Sequence, residues 1–309
     1  MDDLINPHYI AVTMEAAKTF KRTRLAPTPS GYLHLGNILS FAITAALAQR
    51  HGASILLRID DFDLERTNKL YVQDIFDTLN FLEIPWHEGP RNMHEYEQQF
   101  SQVHRMELYR KALQQLRDEG QLFACTCSRT QVLSGGADKG YPGTCRDKNI
   151  PLDTPNTSWR LHTQGAGPLT IKTLAGAEQA TLPMAMNEFI ARRKDGVPAY
   201  QLISVIDDLH YGVDLVVRGE DLCGSTLAQA LLARKLGLDA FAGITFYHHP
   251  LVADAEGKKL SKSEGATSVH YLRKDGKTRE EIYTEIGRHL GTAAINNWEQ
   301  LTDVINPGS

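Results

Sequence analysis

Apolar and polar positions first fall into order at residues 23–26, a short run bounded by Pro27, Pro29, Ser30 and Gly31, which reads as a strand entering a loop. Residues 37–50 are then apolar at most positions and stop short of Gly52, which predicts a helix ended by glycine. A strand is predicted over 54–59. Strand, loop, helix and strand within roughly 40 residues make a right-handed parallel unit, with a ligand expected at the carboxyl ends of its strands. Helices are predicted over 71–82 and 95–119. Beyond Gly120 the segments SGG, PG and NIPLDTPN mark loops, and 121–195 reads as an irregular insertion. Strands over 188–193, 214–218 and 244–247 alternate with helices over 200–208 and 226–236, and a last helix covers 278–290. The predicted fold class is α/β, a parallel sheet split by an insertion. The division is an N-terminal extension (1–21), a first half (22–120), the insertion (121–195), a second half (196–265) and a short helical C-terminal segment (266–309). There are no internal repeats or low-complexity tracts.

Composition narrows the class. Of 309 residues, 42% are hydrophobic, enough for a substantial core. No apolar run approaches membrane length, and the first twenty residues lack a charged start followed by an apolar stretch, so the expected compartment is the cytoplasm and no membrane partner is expected. A formal charge of -4 gives no global attraction to polyanions; nucleic acid would have to be gripped by local basic patches. Two such patches stand out, Arg192, Arg193 and Lys194 before Asp195 and Gly196, and Arg273, Lys274, Lys277 and Arg279. Of the four cysteines, Cys125, Cys127 and Cys145 are clustered, which leaves metal binding or plain packing rather than a disulfide framework; Cys223 is remote and reads as packed.

Two stretches could carry chemistry. Residues 27–37, Pro-Thr-Pro-Ser-Gly-Tyr-Leu-His-Leu-Gly-Asn, put His34 and Gly36 just ahead of a helix, where glycine admits close approach and the helix amino end favours phosphate charge. Lys258-Lys259-Leu260-Ser261-Lys262-Ser263 spaces cations to converge on a triphosphate, beyond the last predicted strand. Either alone would be read as an ordinary turn. Their pairing and order resemble the HIGH and KMSKS motifs of class I aminoacyl-tRNA synthetases, built on a Rossmann-type sheet. The segments Thr23-Arg24-Leu25-Ala26-Pro27-Thr28, Leu57-Arg58-Ile59-Asp60-Asp61-Phe62-Asp63, Tyr200 with Asp207-Asp208, and Val217-Arg218-Gly219-Glu220-Asp221 resemble the glutamyl branch in order, over residues 22–290.

The resemblance implies roles. His34, Lys259 and Lys262 would be catalytic; His34, Gly36, Asn37, Lys259, Ser261 and Lys262 would bind ATP, with Mg2+ on its triphosphate. Arg24, Ala26, Thr28, Asp60, Tyr200 and Arg218 would bind glutamate, the two arginines taking its carboxylates as guanidinium forks. Asp60 stands where the branch usually has glutamate, Phe62 where it has threonine, and Ser204 where it has asparagine, which leaves ATP chemistry intact and softens specificity. Only 46 residues follow Ser263, too few for the helical anticodon-binding region of full-length glutamyl enzymes. The chain is in this respect similar to the truncated glutamyl-queuosine tRNA(Asp) synthetases, which activate glutamate without tRNA and attach it to queuosine in tRNA(Asp). Their zinc pattern matches Cys125, Cys127, Tyr141 and Cys145, implying a structural Zn2+ in the insertion. The implied partners are glutamate, ATP and tRNA(Asp) bearing queuosine, and the expected assembly is a monomer. The same motifs allow a truncated enzyme that charges a tRNA 3' end or another acceptor, or an RNA-binding paralogue without catalysis.

Overall fold

Strand β1 (Arg22–Leu25) is followed by helix α1 (Leu35–His51) and strand β2 (Ser54–Leu57), and β1 pairs with β2 in parallel, Arg22 opposite Ser54 and Leu25 opposite Leu57. In the computed structural model the described residues are 19–62, 67–133, 136, 139–251, 268–292 and 294–304. The expected N-terminal arm before residue 19, Asp63, and the segment with Lys259, Ser261 and Lys262 lie outside them. Helix α1 buries Leu35, Ile38, Leu39 and Phe41 together with Ala45, Ala46 and Leu47, so it is apolar on nearly every side and sits inside the core. It stops where Gly52 adopts φ 72°, donating its N–H to Ala48, as predicted.

Helix α2 (Lys69–Phe81) follows, capped by Asn68. The long helix predicted over 95–119 is interrupted. A short α3 (Met93–Glu95) passes through a π-helical turn (Tyr96–Phe100), the chain becomes extended at Ser101, and a 3-10 turn (Gln102–Arg105) leads into α4 (Met106–Asp118). The cause is the buried carboxylate of Asp61, which accepts hydrogen bonds from the Tyr96 and Ser101 hydroxyls and the Gln102 backbone N–H at 2.5–2.8 Å. A buried charge needs donors, and here it draws them from the would-be helix.

The stretch read as irregular carries strands. After β3 (Leu122–Cys125) and α5 (Arg129–Leu133) come β4 (Ser158–Leu161), β5 (Leu169–Thr173), β6 (Ala177–Ala180) and β7 (Ile190–Arg192). Strands β3, β4 and β7 form an antiparallel sheet, so 188–193 does not enter the parallel sheet as expected. The hairpin at Arg193–Val197 folds the chain back, with Ala199 N–H on Ala191 O at 2.9 Å, and commits β7 to its own sheet.

Helix α6 (Tyr200–His210), strand β8 (Leu215–Gly219), helix α7 (Cys223–Lys235) and strand β9 (Thr245–His249) restore the α/β alternation. β8 and β9 are parallel and in register, and β5 joins β9 in parallel, carrying β6 on its other edge. Asp214 ties β8 to β1: its N–H donates to Arg22 O, and its carboxylate accepts the N–H groups of Lys21 and Arg22 at 2.8–2.9 Å. All five residues of β8 are buried; Leu215 and Val217 enter one core with α1 and α2, while Val216 enters a second with α4, α6 and α7. This two-sided burial is that of a parallel strand covered on both faces. Helices α8 (Val269–Lys274), α9 (Arg279–His289) and α10 (Leu301–Val304) close the described chain, α9 and α10 packing on α1. Among the described residues no helix is long and apolar enough to cross a membrane.

Candidate active site

The carboxyl ends of β1 and β8 and the amino end of α1 converge on a cavity of about 360 Å³. Every expected ATP or glutamate residue within the described chain lines it: Arg24, Ala26, Thr28, His34, Gly36 and Asn37 from the β1–α1 connection, with Asp60, Tyr200 and Arg218 from three other elements. Parallel strands deliver such residues together because their carboxyl ends share one edge. Leu251 also lines the cavity, and Ser268 pairs with His34 in an isolated antiparallel bridge. The described residues on either side of the segment with Lys259, Ser261 and Lys262 are therefore both at the site.

His34 is the N-cap of α1. Its Nδ1 accepts the Gly36 N–H at 3.1 Å while the Asn37 side chain accepts the His34 N–H at 3.2 Å, a reciprocal capping box. An Nδ1 that accepts leaves the proton of the neutral ring on Nε2. The same packing favours glycine at 36, since a Cβ there would stand 3.0 Å from the imidazole and push it aside. The remaining amide dipoles of α1 give the cavity a positive edge suited to phosphate.

Charged side chains gather around Arg24, Arg58 and Asp60. Arg58 is 3% exposed and holds Asp60 bidentately, Nε to Oδ1 at 2.7 Å and Nη2 to Oδ2 at 3.0 Å, while its Nη1 reaches Asp208 at 2.6 Å. Burial works against the Arg58 cation, but Asp60, Asp208 and Asp207 outweigh it and raise its pKa well above the ordinary value. Asp208 also accepts from Arg24 Nε at 3.3 Å, and Arg24 Nη1 donates to Val217 O at 3.2 Å. Behind them Asp207 is gripped by Arg105 through two contacts at 2.8 and 3.0 Å and by the Tyr109 hydroxyl at 2.6 Å, which hold its carboxyl below the usual range despite burial. Burial raises Asp60 instead, opposed by Arg58. Three arginines are thus matched by three aspartates. Arg218 is not: buried over the Phe246 ring at 5.1 Å, it donates to the Thr226 hydroxyl and the Gln229 side-chain oxygen, and burial depresses its pKa.

In the antiparallel sheet region, Cys125, Cys127 and Cys145 place their sulfurs within 4.8 Å of one another, with Cys127 and Cys145 3.6 Å apart. The Tyr141 hydroxyl lies 3.3 Å from Cys125 Sγ and accepts the Cys145 N–H at 2.8 Å. Ligands bound to one ion at about 2.3 Å on tetrahedral corners would stand about 3.8 Å apart. The donor set fits a single zinc-sized ion. Burial raises the Cys145 thiol, but hydrogen bonds from Thr126, Tyr141 and Cys127 more than offset this and bring its pKa down to about 6.

Sequence reasoning gave no role to Arg58, Asp207 or Asp208, although they stand inside the segments that carried the family resemblance. Thr226, Gln229 and His248 left no signal, because their relation to Arg218 exists only once α7 and β9 flank β8.

The tRNA synthetases class I (E and Q), catalytic domain, family matches residues 21–141 and 159–305. A glutamate–tRNA ligase of Anaeromyxobacter sp. (strain K) is 34% identical over 274 residues, 86% of this chain and 57% of that relative. A glutamyl-Q tRNA(Asp) synthetase of Symbiobacterium thermophilum is 36% identical over 275 residues, 84% of this chain and 83% of that relative. The chain spans between 54% and 60% of the length of the first glutamate–tRNA ligases it matches. The crystal structure of glutamate–tRNA synthetase from Elizabethkingia anophelis superposes with TM-score 0.73 at 21% identity over 94% of this chain and 66% of that one, a likeness of fold. With the cavity at the strand ends and the family match running along both halves of the sheet, the chain belongs to the class I glutamyl- and glutaminyl-tRNA synthetase catalytic-domain family.

Proposed function

We propose that this chain condenses glutamate with ATP, taken up as its Mg2+ complex, to give glutamyl-adenylate without tRNA, and then passes the glutamyl group to queuosine in tRNA(Asp). The observation that carries the first half is a single cavity lined both by the His34-capped amino end of α1 and by Arg218, a buried cation without a carboxylate partner among the described residues. A glutamate α-carboxylate oxygen attacks the α-phosphorus in line, the bond from that phosphorus to the bridging oxygen breaks, and pyrophosphate leaves with both electrons of that bond. No covalent enzyme intermediate is required. The chain contributes position and charge. His34 and the helix end face the phosphates, while Arg24 and Arg218 hold the two carboxylates of glutamate. A carboxylate offers about four lone-pair sites; Asp60 spends three of its own on Arg58 and Gln102, and the remaining one suits a single contact to the substrate ammonium. Thr28 and Tyr200 supply hydroxyls at the rim.

Lys259 and Lys262, with Ser261, would neutralise the charge that develops toward pyrophosphate. Lys262→Ala is expected to lower the turnover of glutamate-dependent pyrophosphate exchange roughly 100-fold with little change in glutamate KM. Steady-state exchange kinetics check this, and unchanged turnover would remove the lysine from the reaction.

Queuosine as acceptor is supported by the similarity to the Symbiobacterium thermophilum protein of that name; the matches to glutamate–tRNA ligases favour a tRNA 3' end instead. ATP, labelled glutamate and total tRNA from cells with and without queuosine separate the two. After nuclease digestion and mass spectrometry, label on queuosine is the expected result, and label on the terminal adenosine would refute this acceptor.

The cysteine cluster would hold Zn2+ through Cys125, Cys127, Cys145 and the Tyr141 oxygen, where the ion joins the end of β3 to the loop before β4. One zinc per chain is expected by elemental analysis. Its removal with a chelator should loosen residues 122–161 in hydrogen exchange while α1 and β8 stay protected; equal protection with and without chelator would contradict a structural metal.

A further inference from the structure

Arg24, Arg58 and Arg105 each meet an aspartate, whereas Arg218 hydrogen-bonds neutral groups and has no carboxylate in contact among the described residues, Asp208 and Arg24 acting on it only at longer range. Its Nη2 donates to Thr226 Oγ1 at 2.6 Å and to Gln229 Oε1 at 3.0 Å, and its buried Nε has no hydrogen-bond partner among the described residues. Thr226 Oγ1 is itself 2.7 Å from His248 Nε2. Burial, with Arg218 close by, brings His248 down to about 4, so it adds no charge near pH 7.

Gln229 is the informative member. It is fully buried, its Oε1 takes the Arg218 N–H, and its Nε2 finds no partner among the described residues. A glutamate of the same shape would give Arg218 a charge-assisted bond and neutralise it from within, with its second oxygen left where Nε2 now lacks a partner. The residue present at 229 is the neutral one, which holds the Arg218 fork by a hydrogen bond and adds no counter-charge.

We infer that Gln229, backed by Thr226 and His248, is a positioning residue that fixes the Arg218 fork while leaving its charge uncompensated, so that a substrate side-chain carboxylate is selected over the corresponding amide. The inference rests on the glutamate-activating reading of the cavity and adds what makes that cavity discriminate glutamate from glutamine. A site that leaves a buried charge unpaired with the wrong substrate discriminates far better than one that only excludes volume.

The test compares kcat/KM for glutamate and for glutamine in ATP–pyrophosphate exchange, for the parent enzyme, Gln229→Glu and Gln229→Leu. Gln229→Glu should reduce the glutamate-over-glutamine preference by roughly 100-fold, because the guanidinium is then neutralised from within. Gln229→Leu loses a hydrogen bond but adds no charge; its glutamate KM should rise while the preference stays within about tenfold of the parent. Thr226→Asp, which puts a carboxylate beside the same nitrogen from one turn earlier on α7, should behave like Gln229→Glu and serves if that variant does not fold. A parent-like preference in folded Gln229→Glu or Thr226→Asp, or an equal loss in Gln229→Leu, would overturn the inference. Failure of the parent itself to activate glutamate would instead strike the underlying reading of the site.

Discussion

An Arg218→Met enzyme is expected to lose about three orders of magnitude in kcat/KM for glutamate activation, since truncating one side of a buried, hydrogen-bonded charge pair costs roughly 2–5 kcal/mol or more, and yet to melt no lower than its parent when ligand-free. The two halves of this expectation have one cause. Arg218 is 5% exposed and, among the described residues, hydrogen-bonds neutral partners with no carboxylate in contact, so without substrate it is a cation removed from water with only the more distant Asp208 to offset it. Methionine keeps much of the side-chain volume against Phe246 and removes that burden. In the proposed reaction bound glutamate would offset the desolvation, so the loss should appear in substrate recognition and not in the fold. Exchange kinetics and calorimetry on the same preparation measure both. A variant that activates glutamate normally, or that loses activity only because it unfolds, would contradict the assignment.

Asp208→Asn should produce the opposite balance. Asp208 is 1% exposed and joins Arg58 and Arg24, at 2.6 and 3.3 Å, into one buried network with Asp60 and Asp207. Removing its charge leaves two guanidinium groups sharing too little negative charge inside the protein, which typically costs about 3–5 kcal/mol. For a chain of this size that corresponds to a fall of about 10 °C in Tm. Arg24 would also lose one of its two anchors, so glutamate KM should rise in what remains folded. Calorimetry reads the first effect; a change in Tm below about 2 °C would mean the carboxylate is not carrying the network.

The contrast between these residues explains what was legible in the sequence. The helix at 37–50, its stop at Gly52, and the alternation from residue 200 onward follow local patterns and are present in the structure. The described candidate site residues could be named because their segments resemble the glutamyl branch, and the fold brings them to one cavity. Long-range pairing was not legible. The break at Ser101 depends on a carboxylate forty positions earlier, and β5 reads as part of an irregular insertion until β9 lies beside it. The short β7 has no period long enough to distinguish an antiparallel edge from a parallel sheet strand. The pairing of Asp60 with Arg58 is equally invisible to spacing; with Gln102 it takes three of the carboxylate's lone-pair sites.

The central claim, that this cavity activates glutamate as an adenylate, is tested most directly by amino-acid-dependent exchange of labelled pyrophosphate into ATP with the purified chain and no tRNA. Glutamate should support exchange and glutamine should support far less, with activity falling in Arg218→Met. Absence of exchange with glutamate, or exchange that glutamine supports equally well, would contradict the account.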